Sequence, residues 1–452
     1  MILQLPDEIL YLISRQLDNQ HDRLQMATSC RQLYGTLRST IFWRVKLCNY
    51  RPENSAIKQV SQFLYTIVRE PKLARMVQEL ELDGWDTAAT CEFHGYPTKV
   101  DYDSDVMEPL VREASGDSDR QKSWISDLER GITDAWLALL IPKLSNLRKI
   151  SLTWNFEADY VSKMFVEAAK AETPVFSHLE EAYAAHWDTE GGADTELMLP
   201  FFKFPAMRKI GGFRLCDGFE WDENGNAENS LRHTEMGCSS VTDIDLDITN
   251  ATDGLQSWIR SCKALKSFRI RDGGSNISYE PPNQRRLYEA LLLHKTTLQA
   301  VSISEDPNGV DPDENENSFM GTFADFTNLK TLHVPCTGIV ERDDEDMPTQ
   351  GLIEALPSSL ELLSLSAPYG ALLEWVIEQC DLLLDSNVCP NLKTICIESS
   401  SFSKAEISPK IEELERRCQD GNVSMRTFKP ESLEAAAFWD SIWPVDHIFV
   451  RL

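Results

Sequence analysis

One short phrase constrains the fold of this chain more than any other feature. It is a leading apolar residue followed by two apolar residues at offsets of three and five, and it recurs as LSNLRKISL, CSSVTDIDL, CKALKSFRI, TTLQAVSI, TNLKTLHV, SSLELLSL and PNLKTICI. Weaker copies are MVQELEL, FSHLEEAYA and FPAMRKIGGF. The leading residues are then Val77, Leu147, Leu179, Met207, Val241, Leu265, Leu298, Leu329, Leu360 and Leu392. From Leu147 onward the steps are 32, 28, 34, 24, 33, 31, 31 and 32 residues. That is the period of a solenoid, and an irregular one.

The closing apolar pair places two side chains on one face of a short strand, and the leading residue turns into the same interior. Between the phrases, TDAWLALLIPKL, ADYVSKMFVEAAKA, DGLQSWIRSCKAL, NQRRLYEALLLHK, ALLEWVIEQCDLLL and SPKIEELERRC carry apolar residues at helical spacing. Strand and helix alternating about every thirty residues predict a stacked array with a curved parallel sheet inside and helices outside. Over roughly residues 73–428 the chain resembles leucine-rich-repeat proteins. It departs from them in lacking the Asn/Cys position after the apolar pair, in uneven repeat length, and in a 70-residue interval from Val77 to Leu147. That interval holds an acidic insertion, about 83–131, which reads as a surface loop or a degenerate repeat.

The first fifty residues follow a different pattern. Pro6 suits a first helical turn, and Asp7 and Glu8 complement the positive end of the helix dipole. Ile9, Leu12, Ile13 and Leu17 form an apolar stripe flanked by Leu10. After a break at DNQHD, the apolar residues Leu24, Met26, Ala27, Cys30, Leu33, Tyr34, Leu37, Phe42 and Trp43 follow at helical spacing. Three short helices have too little interior to bury all these faces against one another. The rest must be covered by the remainder of the chain or by another protein.

LPDEIL followed by ATSCRQLYGTL and FW resembles an F-box over residues 1–50. The segment PKLARMVQELEL also looks like the lead-in to the repeats of fungal F-box proteins. The resemblance implies that Leu5, Pro6, Ile9, Leu10, Ile13, Leu17, Leu24, Cys30 and Leu33 contribute to docking on the Skp-family adaptor of a cullin-RING ubiquitin ligase. Some of them serve the contact and some hold the helices together, and the resemblance does not apportion the two roles.

Acidic residues outnumber basic ones 72 to 44, a formal net charge of -28 that opposes binding to a polyphosphate backbone. No nucleic-acid partner is expected, and solubility is the plain consequence of the charge. Asp7 and Glu8 stand where a secretory leader carries basic residues, and no segment approaches ~18 uninterrupted apolar residues. An intracellular protein, cytoplasmic or nuclear, with no membrane partner is expected. Eleven cysteines with no regular framework fit reduced, buried thiols, and the glycosylation-type matches at Asn250, Asn276 and Asn422 are read as chance.

Chemical signatures are absent. There is no phosphate-binding glycine loop, dinucleotide fingerprint, zinc-protease helix or nucleophile elbow in the sequence. Cys91 and His94 have the spacing of two metal ligands but no second pair, and His178 and His186 read as ordinary histidines. The acidic stretches DYDSDVMEP, WDENGNAEN and DPDENENSF lack the glycine and glutamate of a calcium loop. Cys238 and Cys262 precede leading apolar residues and Cys396 sits between strand residues, which fits small buried hydrophobes.

The expected class is therefore α/β: a small three-helix F-box (1–50), a linker helix (51–72), an irregular leucine-rich-repeat solenoid (73–428), and a C-terminal segment (429–452). That last segment reads as a cap for the final repeat edge, the alternative being an exposed aromatic docking tail. The role that the F-box resemblance implies is substrate recognition in a Skp/cullin/F-box ubiquitin ligase, and no catalysis or cofactor is expected. The alternative is a scaffold that uses the F-box for assembly only. Strand alternation nominates Ser151, Thr153, Asp245, Asp247, Arg269, Arg271, Thr331 and His333 as outward residues that meet the target protein.

Overall fold

The computed structural model describes residues 2–17, 20–48, 55–94, 100–155, 157–217, 235–274, 277–278, 282–304, 319–342, 348–367, 370–402, 404, 406–430 and 432–443. Asn276 and most of the acidic stretches at 221–229 and 311–319 lie outside the described residues, as does the His94 side chain. Two units make up the chain. Among the described residues, the first comprises those up to Trp187 with Leu197–Arg208, and the second comprises Asp188–Glu196 and those from Lys209 onward.

In the first unit, α1 (Asp7–Arg15), α2 (Gln20–Thr28) and α3 (Arg31–Ile41) pack around Leu10, Ala27, Leu33, Leu37 and Ile41. Soon after α3 comes β1 (Arg44–Leu47), a strand that the repeat phrase does not announce. It pairs in parallel with β2 (Glu79–Leu82), Val45 opposite Leu80, and α4 (Ser55–Arg69) and α5 (Pro71–Ala74) form the connection. Parallel neighbours need such a crossover, because a tight turn returns the chain antiparallel.

The acidic insertion is helical: α6 (Ala88–His94), α7 (Ser104–Ala114) and α8 (Ser118–Arg130). Of the two expectations for it, a surface loop or a degenerate repeat, the loop is corrected here, and the reason lies in its aspartates. Asp103 and Asp117 are N-caps, accepting from the backbone N–H of Asp105 at 3.1 Å and of Asp119 at 2.8 Å. Met107, Val111, Trp124 and Leu128, at helical spacing, are buried beneath the charge. The fully buried α9 (Thr133–Leu140) leads to β3 (Lys149–Trp154), α10 (Asp159–Lys170) and β4 (Glu181–His186). Leu80, Ile150 and Ala182 stand side by side across β2, β3 and β4.

The second unit holds eight parallel strands: β6 (Lys209–Phe213), β8 (Asp243–Asp247), β9 (Ser267–Arg271), β10 (Ala300–Ser304), β11 (Thr331–Pro335), β12 (Leu362–Ser366), β13 (Thr394–Glu398) and β14 (Ser424–Phe428). Two-residue strands β5 (Ala193–Asp194) and β7 (Leu215–Cys216) pair separately. One apolar row runs Ile210, Ile244, Phe268, Val301, Leu332, Leu363, Ile395, Met425 in unbroken register. The helices are α11 (Asp253–Ser261), α12 (Gln284–Leu291), α13 (Cys336–Ile339), α14 (Leu352–Ala355), α15 (Gly370–Asp385), α16 (Ser408–Asp420) and, after the last strand, α17 (Leu433–Ile442).

Each of the ten leading apolar residues lies two positions ahead of a strand. Nine are buried and Leu392 is half-buried. Four parallel strands in the first unit and eight in the second, joined by helices, are the architecture of a repeat solenoid. Among the described residues no helix is long and apolar enough to cross a membrane.

Candidate functional site

Two faces present candidate contact residues, one in each kind of substructure. On the N-terminal helices, Pro6 precedes α1 with φ -55° and ψ 149°, an extended residue that directs the chain into the helix. Ile9, Leu12 and Ile13 are exposed at 40%, 57% and 37%, and Leu5, Pro6 and Leu24 are exposed as well. Leu17 and Cys30 are half-buried, and the Cys30 Sγ accepts from the Leu33 backbone N–H at 3.5 Å, capping α3.

Two of the nominated docking residues cannot serve as a surface. Leu10 and Leu33, exposed at 2% and 3%, are core residues of the three-helix unit, because they stand on the faces of α1 and α3 that close around Ala27, Leu37 and Ile41. Leu12, left out of the nomination, is the most exposed apolar residue of α1; its place in the Ile9–Ile13 stripe was the available signal.

The unit is tied internally by polar contacts that pattern does not reveal. Thr40 donates to the Leu37 carbonyl at 2.7 Å and accepts from Ser14 at 2.7 Å, linking α1 to α3 inside the core. Arg23, 1% exposed, donates to the carbonyl oxygens of Leu17 at 2.7 Å and Arg44 at 3.3 Å. Its guanidinium and that of Arg15 lie 5.8 and 5.5 Å from the centre of the Trp43 ring.

The second face is the side of the strands turned away from the apolar interior. Alternation assigns it correctly, but most of the nominated residues there are not open. Ser151 and Thr153 are both buried, and at Ser151 longer neighbours on strands spaced about 4.8 Å apart close over the short side chain. Ser151 stands between Glu81 and Tyr183 in register, with Glu81 itself paired to Lys46 and Arg44.

In the second unit the nominated charges meet one another. Asp247 holds Arg271 through two contacts, at 2.5 and 2.9 Å, and Asp245 lies 3.7 Å from Arg269 and 3.5 Å from Lys209. Both carboxylates are buried by these pairs, so they are not free to bind a target as single charges. Thr331, half-buried, begins β11 beside Ala300 and Leu362.

His333 is buried for a different reason. The C-terminal segment, expected as a cap of the last repeat edge or an exposed tail, lays α17 over the last strand and on across this polar strand face. The Trp439 ring stacks on His333 at 4.2 Å and 10°, and its indole N–H donates to Glu398 Oε1 at 2.8 Å. Phe438 packs on Phe428 at 5.2 Å, and Ala435 closes over Cys396 and Phe428. Burial pushes the Glu398 carboxyl up, but the His333 imidazole and the Trp439 indole outweigh it and hold it below the usual carboxylate value.

All eleven cysteines are unbridged. Burial pushes the thiols of Cys91, Cys216, Cys389 and Cys418 up to about 11 and that of Cys396 up to about 12, away from the thiolate a nucleophile needs.

Parallel strands at this step, each led by a buried apolar residue, define a repeat array of the class that presents a continuous surface to other proteins. Residues 167–408, more than half of the chain, match the family model described as Leucine-rich repeat domain. The chain belongs to the leucine-rich-repeat family, and its general role is protein–protein interaction. No curated protein matches it.

Proposed function

We propose that the protein is the substrate-recognition subunit of a Skp/cullin/F-box ubiquitin ligase, docking on the Skp-family adaptor through α1–α3 and holding a target protein on its repeat array. One observation carries this reading. Of the twelve large apolar residues that are exposed among the described residues, seven fall between Ile2 and Tyr34. Such a concentration on one small unit supports the reading that a partner covers it. The protein acts without chemistry of its own, by raising the target's effective concentration beside a ubiquitin-charged enzyme; the buried, high-pKa thiols support that. This role implies a cytoplasmic or nuclear location.

The test is capture of the full chain by a purified Skp-family adaptor. Wild type binds, and Ile9→Asp and Ile13→Asp each weaken binding by about 100-fold, since a carboxylate forced into an apolar contact is strongly unfavourable. Leu382→Asp, an exposed apolar site on α15, serves as control and leaves binding unchanged. Failure of the wild type to bind, or equal binding by the α1 variants, would overturn the proposal. A captured target whose lifetime ignores loss of this protein would assign it the scaffold role.

A further inference from the structure

The aromatic contacts of α17 begin on the edge strand β14, at Phe428 and Arg426, and run on to β11, three strands in, farther than covering the open edge requires. They fill a site. His333 supplies a flat platform, Glu398 an acceptor 2.8 Å from the indole N–H, and Phe428 an apolar wall. Arg426 lies 5.0 Å over the Phe438 ring.

We infer that this part of the strand face is a docking site for a tryptophan-bearing helical segment of a partner protein, and that α17 occupies it in cis as a competitor. The inference deepens the target-recognition role of the repeat array, on which it rests, and is independent of adaptor docking by α1–α3.

Three observations favour a replaceable occupant over a fixed part of the core. The helix has ten residues, a length that is marginal alone, and follows the last strand, so its release breaks no strand pairing. Only Ala435 within it is buried, whereas Leu433 is 89% exposed. Ser364, in register between His333 and Cys396, is fully buried and its hydroxyl has no hydrogen-bond partner among the described residues. With α17 in place, this part of the strand face therefore holds a buried hydroxyl without a partner among the described residues.

The polar strand face of β8 and β9 offers no comparable contact, because its charges are closed in the Asp–Arg pairs. A partner gains apolar area and a buried hydrogen bond at the His333 platform, where an aromatic anchor is worth most.

The experiment uses the full chain and a labelled peptide of residues 432–443. Trp439→Ala in the chain should raise its affinity for the wild-type peptide at least tenfold over that of the unaltered chain, and a peptide carrying the same substitution should not compete. Equal affinity of the two chains, or no peptide binding to the variant, overturns the inference. Adaptor capture is measured in parallel and stays unchanged, which keeps this outcome separate from the F-box reading. Hydrogen exchange on the unaltered chain gives a second readout: α17 amides should exchange through an opening that leaves β12 and β13 protected. Exchange of α17 in step with those strands would mean that it is part of the core, and the inference falls.

Discussion

Alanine in place of Asp134 is expected to destabilise the first unit by about 3–5 kcal/mol, the range for breaking a buried polar network from one side. The carboxylate is 1% exposed. It accepts from the Trp85 indole at 2.9 Å and from the backbone N–H groups of Tyr160 at 2.7 Å and Val161 at 3.3 Å. The last two open α10, whose own N-cap, Ala158, has no side-chain acceptor. Alanine leaves three donors buried without a partner. Hydrogen exchange of β3 and α10 amides measures the loss, and an effect below about 1 kcal/mol would mean that water replaces the carboxylate.

The same group sets a pH dependence. Burial pushes the Asp134 carboxyl up to about 6 from 3.8, against the three N–H bonds that favour its charge. Its folded pKa lies above the unfolded one, so folding takes up a proton between the two values. Its contribution to stability therefore rises as pH falls through 6 toward 4. From pH 7.5 to pH 5 the gain is about 1 kcal/mol, and it is absent from Asp134→Ala.

Arg23→Ala is expected to cost the three-helix unit about 3–4 kcal/mol and to abolish adaptor capture, although the side chain is almost wholly inside. The guanidinium closes the carbonyls of Leu17, at the exit of α1, and Arg44, at the start of β1. Lysine cannot reproduce a planar fork on two acceptors, so Arg23→Lys recovers only part of the loss. Protease sensitivity of residues 20–48 reads the effect. An alanine variant as resistant as wild type would show that the helices hold without this contact.

Much of the array was legible because its period is enforced by packing. A residue that must lie under the sheet at each turn can only be apolar, so Val77 through Leu392 marked ten strands two residues in advance. The two end strands escaped for the complementary reason: Arg44–Leu47 and Ser424–Phe428 each have a neighbour on one side only, and their sequences need not carry the full phrase. The helices at 104–130 were hidden because aspartates that cap helices look, in composition, like aspartates in a loop.

The candidate faces were legible in direction but not in availability. Alternation says which side of a strand a residue takes, and it took Asp245, Arg269 and His333 to the polar side. It cannot say what then lies over them. Likewise the stripe of Ile9, Leu12 and Ile13 and the core residues Leu10 and Leu33 have the same composition, and only their neighbours in space separate surface from interior.

Local spacing therefore dictated the repeat period, the strand and helix alternation and the apolar interior, since these depend on residues close in the chain and on one averaged property, hydrophobicity. Contacts between distant polar groups were settled by the folded chain alone. Asp134 caps a helix that begins 25 residues later, Asp217 accepts from the backbone N–H groups of Thr252, Asp253 and Gly254, and Trp439 lies on His333. Hydrogen bonds and ring stacking require a partner at a specific distance and angle, and that geometry exists only once the turns of the array are stacked.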